Sequence, residues 1–339
     1  MVTIRDISKA AGVSLETVSR VINGKYKGRT EKSRMLMKKI LREAARRHYR
    51  PHNAARSMRT SSTGLIGVVF EEGSLGVHPV INETLKGINE ALERENYNIV
   101  ITSLSGIKKA TLESRIFREH LLDGIIIIDN IGSEEAQSIR SLIPSCVMLN
   151  MNYWRTYCCV RRDEHAAGLT AGTELLRLGY RHAMYFDILC DDKSLENAHY
   201  CIGDRLKGFR TGFMKKGNKI DIIRIYPEQI HGYMSERANK ITRDTVLVAA
   251  HNLRLFCLAS SLSSLPVKVG KDCGLVSLDD ENSFRVSFPQ LSRVAFPRVE
   301  IGRRAGQMMI SLLKGKMEEC KSSTFKGEWI CGTTTPQIS

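Results

Sequence analysis

The sequence is poor in the features that mark membrane proteins, disulfide scaffolds and metal sites. Its longest run of branched aliphatic residues is Ile125 to Ile128, far short of the roughly 20 residues that span a bilayer. Arg5 and Asp6 interrupt the first apolar residues, so no signal peptide is expected. The nine cysteines are an odd number with no CxxC spacing, and only Cys158 and Cys159 are adjacent. That usage predicts a reducing, cytoplasmic setting, no zinc site, and thiols that serve as small buried hydrophobes. There is no GxSxG, no metal-spaced histidine pair and no P-loop; Gly332-Thr333-Thr334 lacks phosphate-binding context. The carboxylate pairs Asp191-Asp192 and Asp279-Asp280 are adjacent in sequence and read as solvated or ligand-holding. No enzyme activity, cofactor or membrane partner is expected.

Acidic residues are scarce at one end only. Residues 1 to 60 hold 16 Lys and Arg against 4 Asp and Glu, whereas the whole chain carries a net charge of +15. The remaining residues are therefore close to neutral, and the basic excess belongs to a small amino-terminal unit. Such a surface suits phosphates. At 339 residues and 42% hydrophobic content, the chain should form two or three globular units.

The basic unit opens on Thr3 to Gly24. Thr3 with Asp6 has capping-box spacing, and Ile4, Ile7, Ala10 and Ala11 share a helical face. Gly12 breaks that helix and Val13 plugs the turn. Ser14 can cap a second helix with Leu15, Val18, Val21 and Ile22 as its apolar stripe, ended by Asn23-Gly24. Two short helices around a glycine-containing turn make a helix-turn-helix, whose second helix fits the major groove. Ala10-Ala11-Gly12-Val13-Ser14 followed by Thr17-Val18-Ser19-Arg20-Val21-Ile22-Asn23-Gly24 resembles the amino-terminal signature of the lactose/galactose repressor family. In that resemblance Leu15 and Glu16 set operator preference, and Arg20 contacts DNA. The DNA-contact set expected is Thr3, Ser14, Leu15, Glu16, Thr17, Ser19, Arg20 and Asn23, with Ala54, Ala55 and Met58 further on.

A third helix should run from Thr30 to about His48, with Met35, Met37, Ile40, Leu41, Ala44 and Ala45 on its apolar side. Tyr49-Arg50-Pro51 ends it. This headpiece, residues 1–50, leads into residues 51–63, where the resemblance implies a hinge helix that folds on operator DNA and wedges an apolar side chain into the minor groove. Met58 stands where the family has leucine, and a thioether can serve as the wedge. A segment this short is unstable as an isolated helix, which fits folding coupled to binding.

From Leu65 the pattern alternates between continuous apolar strands and amphipathic helices. Strands are expected at 65–70, 98–101, 124–128, 146–149, 183–186, 221–225, 245–249 and 274–277. Helices are expected at 79–95, 111–122, 134–142, 166–178, 203–216, 235–241 and 253–262. The fold class is therefore α/β, with parallel sheets covered on both faces. The restart after Asp163 suggests two doubly wound lobes with a cleft between them. The resemblance implies a periplasmic-binding-protein-like core over 64–339. Its first lobe would hold about 64–162 and 292–322, its second about 163–291 and 323–339.

Four positions match places where the resembling family holds its effector: Asp163; Arg205, which opens Arg-Leu-Lys-Gly-Phe; Asn252; and Asp279. Charged and amide side chains at strand ends can pair with vicinal hydroxyls, as a sugar requires. Asp163 could instead cap the following helix, and Asp279 a loop. The sequence departs from the family here. Glu164 replaces an asparagine, His251-Asn252 replaces Asn-Asp, and Ser277-Leu278 replaces a glycine-aromatic pair. His78-Pro79-Val80-Ile81 lacks the stacking ring, for which Tyr226 is a possible substitute. The sequence thus predicts a homodimeric regulator, a repressor of carbohydrate-utilisation genes, that binds double-stranded operator DNA and answers to a small molecule, a sugar. A transport-type sugar-binding protein, or a regulator answering to a partner protein or to nothing, remains open. No leucine heptads follow Lys316, so a tetramer-forming tail is not expected.

Overall fold

The computed structural model describes residues 2–50, 62–71, 80–104, 115–119, 121–129, 133–154, 158–188, 198–280 and 282–338. The chain divides into two compact units, Met1–Thr63 and Gly64–Ser339. The expected hinge contacts Ala54, Ala55 and Met58 lie outside the described residues, as do His78, Pro79, Asp191 and Asp192.

Among its described residues the first unit holds three helices: α1 (Ile4–Ala11), α2 (Leu15–Ile22) and α3 (Glu31–Arg46). Their inward faces supply a core of Ile7, Ala11, Val18, Val21, Ile40 and Ala44. Each start is fixed by a polar cap. The Thr3 backbone N–H and hydroxyl both donate to Asp6 Oδ2 at 2.8 Å, Ser14 Oγ accepts from Thr17 N at 3.2 Å, and Thr30 Oγ1 accepts from Ser33 N at 3.2 Å. Gly12 ends α1 at φ 70°, its N–H donating to Ser8 O. A left-handed residue there favours glycine.

The second unit contains two six-stranded sheets. Its strands are β1 (Leu65–Glu71), β2 (Asn98–Leu104), β3 (Gly124–Ile128), β4 (Cys146–Leu149), β5 (Cys159–Arg162), β6 (His182–Phe186), β7 (Lys219–Ile223), β8 (Thr245–Ala249), β9 (Gly274–Ser277), β10 (Ser292–Ala295), β11 (Ser323–Phe325) and β12 (Glu328–Ile330). The orders are β11-β5-β4-β3-β1-β2 and β12-β10-β9-β8-β6-β7. Among the described residues every strand pairing is parallel except β10 with β12. Among the described residues the helices are α4 (Val80–Glu93), α5 (Arg115–Arg118), α6 (Ser133–Leu142), α7 (Glu164–Arg177), α8 (Tyr200–Phe213), α9 (Ile230–Arg237), α10 (Asn252–Ser263), α11 (Asn282–Ser287) and α12 (Arg298–Leu313). Strands such as β3 and β8 are buried along their whole length, which is why they read as unbroken apolar runs.

The chain crosses between lobes at places that differ from the expected boundaries. β10 pairs with β9 and so belongs to the second sheet, whereas β11 pairs with β5 in the first. The returning segment therefore runs from about Phe296 to Phe325. Strands of three or four residues carry no readable alternation, so pairing alone sets these limits. Helix α9 also lies five residues before its expected start at 235. The α5 helix stops at Arg118, where Leu122 is needed as a buried side chain against β1 rather than as another helical turn.

Two helix pairs are packed backbone to backbone. In α7 and α8, a Cβ on Gly168 would lie 2.0 Å from Arg205 O, and one on Gly208 would lie 2.0 Å from His165 O. In α4 and α12, Gly87 and Gly302 face Val299 O and Thr84 O in the same way. These contacts hold the amino-terminal turn of α7 and the middle of α8 in fixed relation, and both carry residues of the site described next.

Candidate DNA-reading helix and ligand cleft

On α2, Leu15, Glu16, Ser19, Arg20 and Asn23 fall within an arc of about 140° at 100° per residue. The opposite side holds the buried Val18 and Val21. Leu15 is 42% exposed although it is a large apolar side chain. Glu16, Arg20 and Asn23 are exposed as well. Asn23 Nδ2 donates to Ser19 O at 2.7 Å and Ser19 Oγ at 3.2 Å, which pins the end of the helix. Ser14 Oγ and Thr17 Oγ1 are 2.9 Å apart. Thr3 is a cap, and its hydrogen bonds, led by the backbone N–H, hold the Asp6 carboxyl below the usual range. Of the basic residues on α3, Lys39 donates to Ala11 O at 3.0 Å and Arg46 to Glu43 at 2.9 Å, so part of the positive charge also closes the helix ends of the headpiece.

Of the expected effector residues, Asp163, Asn252 and Asp279 follow the carboxyl ends of β5, β8 and β9, the place where open α/β sheets bind ligands, and Arg205 lies within α8. Each is engaged by the protein itself. Asp163 caps α7, its Oδ1 accepting from Ala166 N at 2.9 Å. Arg205 is 1% exposed. Its Nε and Nη2 meet Glu164 Oε2 at 2.9 and 2.7 Å, and its Nη1 donates to Ala250 O and lies 3.4 Å from His251 Nδ1. Asp279 receives Arg162 Nη1 at 3.3 Å and is in contact with Arg298. Arg162 Nη2 closes the ring on Glu164 Oε1 at 2.9 Å. Asn252 opens α10, half-buried.

The structure thus joins Arg205 and Asp279 in one network and leaves Asp163 in a helix cap beside it. It adds five residues that the sequence reading did not single out as ligands: Arg162, Glu164, Asp187, His251 and Arg298. Glu164 and His251 were visible as departures from the family pattern. Arg162 and Arg298 gave no signal, because arginines beside a strand end or a proline look like surface residues.

The electrostatics follow from burial opposed by pairing. Burial pushes the Asp279 carboxyl up, but Arg298, Arg162 and Arg205 outweigh it and hold it well below the usual range. Glu164, equally buried, is held down by Arg162 and Arg205. Burial lowers the His251 imidazole below its ordinary value, against the nearby Asp187 carboxylate, which raises it. Asp187 is 1% exposed and lies 3.3 Å from Arg224 and 3.4 Å from His251 Nε2. On the far rim, Arg285 joins Asp280 at 2.9 Å to Glu83 of the first lobe at 3.1 Å. Tyr226, the possible stacking platform, heads a short turn with its ring 55% exposed.

Among the described residues, no helix is long and apolar enough to cross a membrane and no three His, Cys, Asp or Glu side chains are placed to hold a metal ion. Burial pushes the thiols of Cys146, Cys201 and Cys273 up to about 12, in keeping with packed, unreactive side chains.

The chain is similar to known proteins over nearly its full length. Residues 3–48 match the family described as bacterial regulatory proteins, lacI family, and residues 173–335 match a periplasmic binding protein-like domain. The transcriptional regulator DegA of Bacillus subtilis is 28% identical over 93% of this chain and 94% of its own. The ribose operon repressor of Haemophilus influenzae is 21% identical over 95% of both chains. A crystal structure of the lac repressor dimer bound to operator and an anti-inducer superimposes with a TM-score of 0.76 at 16% identity, covering 99% of each chain, which shows the shared fold. With a groove-reading helix at its start and two lobes in the core, the chain joins a LacI-family helix-turn-helix domain to a periplasmic-binding-protein-like domain and is a DNA-binding transcriptional repressor of LacI type.

Proposed function

We propose that this repressor binds a palindromic operator as a homodimer in the cytoplasm, since one helix-turn-helix reads only a half-site. The observation that carries the reading is the exposed face of α2, where Leu15 is held out of the core beside Glu16, Ser19, Arg20 and Asn23. Arg20 is assigned a guanine, Glu16 a cytosine N4, and Leu15 a thymine methyl. Thr3, Ser14 and Thr17 flank this face and are assigned phosphates. Ala54, Ala55 and Met58 are assigned the minor groove. The core is proposed to take a small sugar-like effector near Asp163, Arg205, Asn252 and Asp279 and to shift operator affinity by binding one lobe arrangement better than the other. A relative named for the ribose operon supports a sugar. The engagement of Asp163, Arg205 and Asp279 by protein groups favours a second reading, in which no neutral sugar is sensed.

Selection of operators from a random DNA pool by the full chain tests the first part. A dyad-symmetric consensus is expected, and Arg20→Ala should weaken binding to it by about 1–3 kcal/mol. Recovered sequences without symmetry would reject the dimeric half-site model. Unchanged affinity would remove Arg20 from the reading face.

A further inference from the structure

The two lobes are tied to each other by the chain's own side chains on both rims of the cleft. At one rim Asn152, which follows β4 of the first lobe, grips the start of α8 in the second. Its Nδ2 donates to Ala198 O at 3.0 Å and its Oδ1 accepts from Tyr200 N at 2.8 Å. The amide thereby satisfies a first-turn N–H that has no partner within its own helix. Beside it, His199 Nδ1 accepts from Cys201 N at 3.3 Å, which leaves the ring proton on Nε2 to donate to Asn150 O at 2.6 Å. At the other rim Arg285 of α11 reaches Glu83 of α4 at 3.1 Å. Asp280 holds the same guanidinium at 2.9 Å and is itself held by Arg293 at 3.1 Å, so Arg285 is aimed before it meets the first lobe.

The ties stand apart. In the first sheet β3 separates β4 from β1, the strands that lead to Asn152 and to α4. In the second sheet β8 separates β6 from β9, which lead to α8 and to α11. Two strand spacings are about 10 Å, so a local change at one tie does not reach the other. The ionic tie is the more sensitive. Glu83 Oε2 is buried without a hydrogen-bond partner, and Arg285 is the cation that meets this carboxylate among the described residues. An uncompensated buried charge is costly, whereas parted lobes would return Glu83 to water. Asp280 does not share that dependence, because it keeps Arg293.

We infer that the two ties form an internal clasp, an amide hook at Asn152 and an ionic hook at Glu83 and Arg285, which release together when the lobes part. The inference rests on the effector reading above, in which operator affinity follows the lobe arrangement. The clasp sets the balance on which an effector acts. A ligand that favours parted lobes has to supply the free energy of both hooks, and one that favours joined lobes is helped by them.

Amide hydrogen exchange of the full chain, without DNA, tests the clasp, because each hook can be cut at one rim and read at the other. Arg285→Gln leaves Glu83 unpaired while the lobes are joined, and it is expected to speed exchange of residues 199–203 at the far rim by about threefold or more. Adding Glu83→Gln removes the stranded charge and should take back part of that increase. In the reverse direction, Asn152→Ala should speed exchange of residues 80–85 by a similar factor, and it stands in should Arg285→Gln fail to fold. Faster exchange confined to the cut rim, no change at either rim, or unprotected amides at both rims of the parent chain overturns the inference. Operator affinity of the same variants separates the two readings. Coupled rims with unchanged operator affinity sink the effector reading alone, and a changed affinity with uncoupled rims sinks the clasp alone.

Discussion

Replacing Gly208 with alanine probes the contact on which the cleft is mounted. A Cβ there would lie 2.0 Å from His165 O and 2.9 Å from Leu169 N, whereas real Cβ contacts stay beyond 3.0 Å. The opposing atoms are backbone of α7, which cannot swing aside as a side chain would, so the helices must separate by roughly 1 Å. Overpacking of this kind costs about 1–3 kcal/mol, and alanine's better helix propensity returns up to about 1. The net expectation is a loss of about 1–2 kcal/mol, or about 2–8 °C in the melting temperature of the core. Gly203 in the same helix is the control. It is exposed, and a Cβ there meets nothing within 4 Å, so Gly203→Ala should stabilise the core by about 0.5–1 kcal/mol. Thermal unfolding followed by circular dichroism reads both. If Gly208→Ala melts at or above the parent, the backbone-to-backbone packing of α7 and α8 is refuted. If Gly203→Ala melts lower, the reasoning from local space alone fails.

Two further outcomes follow from the caps and the buried charges. Ser14→Ala removes the acceptor for Thr17 N and should cost the headpiece about 1 kcal/mol, read as a lower headpiece melting temperature without operator; no change would show that Ser14 is held for DNA rather than for the fold. Acid should destabilise the core. His251, Asp187, Glu164 and Asp279 all have folded values below their ordinary ones of 6.5, 3.8, 4.5 and 3.8, so their contributions are complete above those values and are lost as pH falls through the folded ones. Melting temperatures should therefore decline from about pH 6.5 and fall more steeply below about pH 4.5; a flat profile between pH 7 and 4 would contradict the buried network.

Much of the fold was legible because local chemistry and burial agree in most of its elements. Thr3, Ser14 and Thr30 announce helix starts that the structure places within a residue. Strands buried on both faces, such as Ile125 to Ile128 in β3, need no alternation to be recognised. The misses share a cause. β5 ends in Arg161-Arg162, and β10 to β12 have three or four residues each, so their identity as strands comes from partners distant in sequence rather than from their own pattern. In the turn before α9, Pro227 opens a short 3-10 segment, and a helix beginning there has a weaker apolar stripe than one placed later.

The site was legible as a location and illegible as a set of contacts. The motif that marks Arg205 finds the right helix, yet the partner that decides its chemistry lies 41 residues away at Glu164, while those of Asp279 lie 117 and 19 residues away at Arg162 and Arg298. Ion pairs at such separations leave no periodic trace. Glu164 shows the difficulty most plainly. A helix read as starting at Ala166 leaves Glu164 in a loop, free to face water. With Asp163 as the cap, α7 begins at Glu164 itself. The first turn then carries its carboxylate inward, where Gly168 lets α8 approach closely enough to bring Arg205 against it. A shift of two residues in one helix start, set by one capping hydrogen bond, thus separates a solvated glutamate from a fully buried counter-ion. That shift is what turns a cleft of sugar-gripping side chains into one whose arginines and carboxylates engage one another.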